Sequence, residues 1–183
     1  KLSKEKIINQ AFKFHSLGNI SEATKNYQYF INQGFKDHRV FSNYGLILQG
    51  LGNLNEAEIS TRKAIEINPD YSDAHSNLGA ILKDLGKLEE AEISYRKAIA
   101  IKPDYSDAHF NLSDLLCDLG KLDELIFLSK STIKLRSINK GYKLLASVRL
   151  TIANLLQENF SETLLSINKT NELINQEAIN SIK

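Results

Sequence analysis

The sequence predicts an all-α fold, an α-solenoid of stacked antiparallel helix hairpins, and three observations carry that prediction. Gly18, Gly52, Gly86 and Gly120 stand 34 residues apart in an unbroken ladder, and Glu22, Glu56, Glu90 and Glu124 keep the same step, as do Leu17, Leu51, Leu85 and Leu119. Residues 38–71 set against 72–105 without a gap share 21 of 34 positions, where unrelated sequences of average composition share roughly 2. Within one copy the apolar residues fall at helical spacing in two runs, first Ala74, Leu78, Ile81, Leu82 and Leu85, then Leu88, Ala91, Ile93, Tyr95, Ala98, Ile99 and Ile101. A period of this size means one supersecondary unit written several times, each copy burying its apolar face against its neighbours.

Taken in order, the elements follow from local signals. Gly86 ends the first helix of its unit, where a left-handed residue is needed, and Pro103 stops the second because proline cannot continue a helix. Each pair therefore folds back as a hairpin. Small residues recur where the two helices approach closely, at Gly45 and Gly79 in the first helix and at Ala57, Ala64, Ala91 and Ala98 in the second. The repeats run about 4–37, 38–71, 72–105 and 106–139, followed by a divergent hairpin at about 140–178 with helices near 141–157 and 161–176. The first copy has Gly34-Phe35 in place of a terminal proline, so its hand-over is expected to be irregular. The fourth decays after Glu124, with Leu125, Ser129 and Thr132 at small or aromatic positions and no proline near Arg136, as an array end requires. Beyond it, Glu158-Asn159-Phe160-Ser161-Glu162 echoes Gly18-Asn19-Ile20-Ser21-Glu22, although Glu162 lies 38 residues after Glu124.

The bulk numbers fit one array over residues 1–183 without a linker. With 23 basic and 22 acidic side chains interspersed along the chain, no electrostatic footprint for nucleic acid or an anionic membrane is present. The single Cys117 cannot form an internal disulfide, which points to a reducing, cytoplasmic compartment. No stretch approaches the apolar length of a membrane span, and Lys1 to Lys6 opens a charged amphipathic helix rather than a signal sequence. Methionine is absent even at position 1, so the chain is expected to be a fragment or a processed product.

The unit resembles the tetratricopeptide repeat, whose pattern runs W-x2-L-G-x2-Y, then A-x3-F, then P. It reads here as His75, Leu78, Gly79, Leu82, Ala91, Tyr95 and Pro103, and in the copy before as Phe41, Tyr44, Gly45, Leu48, Ala57, Thr61 and Pro69. The first copy keeps Ala23 and Tyr27 but has Gln10 and Ala11 for Leu-Gly. The resemblance implies a right-handed superhelix of the kind found in bacterial repeat proteins, whose concave face, lined by the first helices, binds extended peptides or partner helices.

Asn9, Asn43, Asn77 and Asn111 occupy one register of those first helices, a polar position between apolar ones. An amide offers donors and an acceptor, so it can clamp a peptide backbone without reading its sequence. The ladder resembles the asparagine ladder of the O-linked N-acetylglucosamine transferases. The competing reading is that each asparagine ties neighbouring repeats together. Arg39, Leu46 and Gly50 flank Asn43; Asp73, Ala80 and Asp84 flank Asn77; Asp107, Asp114 and Asp118 surround Asn111. The groove is therefore expected to turn acidic toward its C-terminal half and to favour a ligand bearing Lys or Arg. Asp73 and Asp107 are equally explained by helix N-termini, which leaves Asp84, Asp114 and Asp118 to carry that expectation. The carboxylate clamp of some family members needs basic residues on this face, where the chain has Ile8, Phe12, Asp73 and Asn77, with only Asn43 matching.

No constellation proposes catalysis, a metal or a cofactor. His75 and His109 stand one repeat apart in the place of the family tryptophan, on the order of 10 Å from each other if the repeats stack, too far to share a zinc ion. Gly50-Leu51-Gly52 lacks the third glycine, the Lys-Ser/Thr and the preceding strand of a phosphate loop. Glu89 and Glu90 suit a first helical turn. The function expected is a non-enzymatic protein-binding module for a protein or peptide partner. The alternatives are the recognition arm of a larger enzyme, such as a glycosyltransferase or sulfotransferase, and a structural array that self-associates.

Overall fold

A computed structural model describes residues 3–135, 137–157 and 159–181. Lys1, Arg136 and Glu158, which enter the sequence reading, lie outside the described residues. The described residues form ten helices and no strand: α1 (Lys4–Ser16), α2 (Ile20–Asn32), α3 (His38–Gly50), α4 (Leu54–Ile67), α5 (Ser72–Asp84), α6 (Leu88–Ile101), α7 (Ser106–Asp118), α8 (Leu122–Lys134), α9 (Lys140–Leu156) and α10 (Phe160–Ser181). They group into two compact units, Lys1–Ile101 with three hairpins and Lys102–Lys183 with two.

The glycine ladder marks the hairpin turns. Gly18, Gly52, Gly86 and Gly120 have φ of 71°, 79°, 75° and 66°, a left-handed region that other residues enter only at a cost. At Gly52 the amide donates to Gln49 O at 2.9 Å and the next amide, Asn53, to Leu48 O at 2.9 Å. These paired bonds satisfy carbonyls that the ending helix leaves open. The hand-over after α2 is indeed irregular: Gly34 turns left-handed and Phe35 packs its ring 5.4 Å from that of Phe30, where the second and third copies use proline.

The echo in the fifth hairpin has a concrete cause. Asn19 Oδ1 accepts from the Glu22 amide at 3.2 Å, and Asn159 Oδ1 accepts from the Glu162 amide at 3.3 Å, so both segments are helix N-caps. α10 runs to Ser181, past the 176 expected from the sequence.

Packing follows the predicted seams. Ala57, Ala64, Ala91 and Ala98 are each 0% exposed. In the first unit Ile7, Ala11, Tyr27, Phe30, Val40 and Ile47 form one cluster, and Leu48, Ala57 and Ile81 continue it. In the second unit Leu112, Leu115, Leu116, Leu125 and Leu150 are buried. Full burial of one such side chain contributes about 1.5–3 kcal/mol, so the shared interior, rather than any single helix, holds each unit together.

Candidate functional site

In the first unit α1, α3 and α5 carry Asn9, Asn43 and Asn77 at one helical register, with Asn9 exposed and the other two half-buried. Asn77 Nδ2 donates to Ser42 Oγ at 2.9 Å, a bond that runs from one hairpin back to the preceding one. Asn43 hydrogen-bonds the hydroxyl of Tyr27, which also lies 3.2 Å from His15 Nδ1. Burial pushes the Tyr27 phenol up to about 12, with the Asn43 bond opposing, so the ring stays neutral. Part of the ladder thus ties hairpins together. The amide of Asn77 still retains a second N–H and its carbonyl oxygen beyond the bond to Ser42.

Asp84 accepts from Gln49 Nε2 at 2.6 Å, a second link between α3 and α5.

The second unit places Asn111, Asp114 and Asp118 on α7, with Asn111 and Asp114 half-buried and Asp118 exposed. The 38-residue step from Glu124 to Glu162 carries Asn111 to Arg149, so the fifth hairpin has an arginine at the ladder register. Arg149 Nη1 donates to Phe110 O at 2.6 Å and Nη2 to Asp114 Oδ1 at 3.2 Å. Its guanidinium lies 4.3 Å from the Phe110 ring centroid, within cation–π range. Burial draws the Arg149 pKa down, against the opposing pull of Asp114 and Asp118. Phe110 stands where Ser42 stands two repeats earlier, so Arg149 makes in this unit the backward link that Asn77 makes in the other. The acidic end of the proposed groove is therefore partly neutralised by the protein itself. The register of Arg149 is the sequence signal that points to this role.

Asp73 and Asp107 sit in first turns of α5 and α7, and Asp107 accepts from the Tyr142 hydroxyl. His75 and His109 each bond back to the proline that precedes their helix. His75 Nε2 donates to Pro69 O at 2.9 Å, and His109 Nε2 to Pro103 O at 2.8 Å. His109 Nδ1 meets Thr132 Oγ1 at 2.8 Å, and burial lowers its pKa. Among the described residues no cluster of three or more His, Cys, Asp or Glu could hold a metal, and no helix is long and apolar enough to cross a membrane. Cys117 is free and exposed.

Family models of the tetratricopeptide repeat match residues 38–71, 72–105 and 94–126. No curated protein matches the chain in sequence. Among solved structures, the crystal structure of the MamA protein superposes with a TM-score of 0.81 at 20% identity, covering 96% of this chain and 93% of that one. YrrB, described as a tetratricopeptide repeat protein with an unusual peptide-binding site, gives 0.76 at 18% identity over 93% of this chain and 86% of its own. A tetratricopeptide repeat protein from Parabacteroides merdae gives 0.76 at 17% identity, covering 96% of this chain and 68% of that one. At these identities the likeness speaks for the fold, and the repeat models speak for the family. Residues 38–126 carry tetratricopeptide repeats, and the chain has the all-α, solenoid-like repeat fold that supports a protein–protein interaction module.

Proposed function

We propose that the chain binds an extended peptide or a partner helix along the face of its first helices, with Asn43, Asn77 and Asn111 clamping the ligand backbone and Asn9 extending the row. The observation that carries this reading is the bond from Asn77 to Ser42. It orients the amide while leaving one N–H and the carbonyl oxygen for a ligand, so a backbone meets donors and acceptors already fixed in place. Asp84, Asp114 and Asp118 favour ligands carrying Lys or Arg, with Arg149 competing for Asp114. The mechanism is binding and presentation without catalysis.

The test is capture of partners by wild type beside an Asn43→Ala, Asn77→Ala, Asn111→Ala variant, with Ser42→Ala as control for the inter-hairpin link alone. Loss of a prey by the triple variant, with the helical signal intact and the prey retained by Ser42→Ala, supports the clamp. Equal recovery of every prey by wild type and triple variant sinks it.

A further inference from the structure

A second kind of recess recurs on the opposite elements, between successive second helices with the intervening first helix as floor. In the first unit one such recess, of about 670 Å³, lies between α2 and α4, floored by Phe41, Tyr44 and Leu48. Its rim is electrically balanced and already engaged, with Arg62 paired to Glu58 and Glu90 at 2.8 Å each and Lys63 to Glu66 at 2.7 Å. The equivalent cleft of the second unit, between α8 and α10 over α9, is smaller, about 260 Å³, and differs in charge. Lys130, Lys134 and Lys169 surround it against the single acid Glu162, which Lys130 meets at 3.4 Å. Neither Lys134 nor Lys169 pairs with an acid among the described residues. The walls are apolar, from Ile133, Leu150 and Leu165, and Leu165 is 50% exposed.

The uncompensated positive charge of Lys134 and Lys169 beside the exposed apolar surface of Leu165 is the chemistry that an acidic, amphipathic partner complements. We propose that the α8–α10 cleft binds an acidic amphipathic segment of a partner protein, its leucine- or phenylalanine-type side chains seated against Ile133, Leu150 and Leu165 while flanking carboxylates pair with Lys134 and Lys169. An amphipathic helix laid in a groove is the recognition mode that suits an apolar floor with a charged rim. Nucleic acid fits less well, because the cleft has no aromatic ring among its lining residues for base stacking. This site lies on the second helices and has the opposite charge preference, so it stands independently of the asparagine ladder.

The test uses the full chain and a fluorescein-labelled synthetic amphipathic peptide with Leu and Phe on one face and Glu on the other. A version with Lys for every Glu and a thymidine oligonucleotide serve as competitors. The acidic peptide is expected to bind at least about tenfold more tightly than the basic one, with affinity falling as salt rises. A Lys134→Glu, Lys169→Glu variant should weaken it by about tenfold or more. A Lys134→Gln, Lys169→Gln variant, which only removes charge, should fall between, and Leu165→Ala should weaken it severalfold. The Asn43, Asn77, Asn111 triple alanine variant should bind it normally, which separates failure of this site from failure of the ladder. Equal binding by wild type and both lysine variants, or an oligonucleotide that displaces the peptide in a lysine-dependent way, overturns the proposal.

Discussion

Gly79 of α5 lies against the ring of Tyr95 in α6, whereas Gly45 of α3 lies against the much smaller Thr61 in α4. A Cβ on Gly79 would stand 2.6 Å from a ring carbon; on Gly45 it would strike Thr61 Oγ1 and stand 3.2 Å from Ala57 O. The two hairpins share 21 of 34 residues, yet one fills its seam with an aromatic ring and the other with a small hydroxyl that finds no hydrogen-bond partner. The same register holds Ala11 with Tyr27 in the first hairpin and Ser113 with Ser129 in the fourth, and the Ser129 hydroxyl is likewise unpartnered. The repeat fixes helix spacing through the pair as a whole, so either member can vary while the fold persists. What differs is how much each seam contributes to stability.

The largest expected effect tests that difference. Tyr95 is 1% exposed, so Tyr95→Ala should cost about 3–5 kcal/mol in urea unfolding. Thr61→Ala, at the matching position, removes far less buried volume and should cost about 1 kcal/mol or less. Equal costs would show that the two seams are not alternative solutions to one packing problem. Gly79→Val should follow at about 3 kcal/mol, because a ring cannot yield as a flexible chain end can. Combined with Tyr95→Ala it should cost clearly less than the two losses summed, since removing the ring makes room for the new methyls. Simple additivity would show that the glycine answers to something other than Tyr95.

The same contrast shows why the fold was more legible than the site. Gly18, Gly52, Gly86 and Gly120 announce their role because a left-handed turn accepts few residues, and Ala57, Ala64, Ala91 and Ala98 announce theirs because a close approach excludes bulk. Such constraints act at fixed positions in every copy, so periodicity exposes them. Asn77 is different: its register is visible in sequence, but whether the amide faces a ligand or a neighbouring hairpin depends on where Ser42 Oγ sits. Arg149 was harder still, because a four-residue slip between Glu124 and Glu162 hides its register and because its partner is a backbone carbonyl, which carries no residue-type signal. The unpaired Lys134 and Lys169 belong to the divergent end, where the period fails.

Arg149 gives a third and intermediate effect. Arg149→Ala removes a bond to Phe110 O and the Asp114 pair from a half-buried site, so the second unit should lose about 1–3 kcal/mol. It also removes the Arg149 cation that competes for Asp114, so affinity for a basic peptide should rise severalfold if the acids on α7 contribute to binding. Weaker binding of that peptide would assign Arg149 to ligand capture instead. The orphaned hydroxyls come next. Thr61→Val keeps the shape of the side chain and removes an unsatisfied buried oxygen, which should stabilise the chain by about 1 kcal/mol, and Ser129→Ala should act in the same direction. A loss at either site would mean that the hydroxyl is satisfied in solution, for instance by a buried water.

The smallest effect is the pH dependence of the histidines, and its sign follows from burial. His15 and His109 both have pKa values lowered from the ordinary 6.5 by desolvation, so the folded chain favours the neutral ring. Between 6.5 and the lower folded value the unfolded chain therefore binds more protons, and stability rises with pH across that window. The contribution is fully present above 6.5 and is lost progressively as the medium is acidified toward the folded value. His109 is the more buried of the two and is held at both nitrogens, by Pro103 O and Thr132 Oγ1. Phe41 occupies the matching register of α3, so His109→Phe should fit the helix packing while removing the titration. The variant should lose stability near neutral pH through the Pro103 bond, yet its thermal midpoint should fall less steeply than that of wild type from about pH 7 to about pH 5. Parallel curves for the two proteins would show that His109 takes up its proton as readily folded as unfolded, with Thr132 Oγ1 turning from donor to acceptor toward Nδ1 and its own hydrogen passing to Leu128 O, which lies 2.8 Å away.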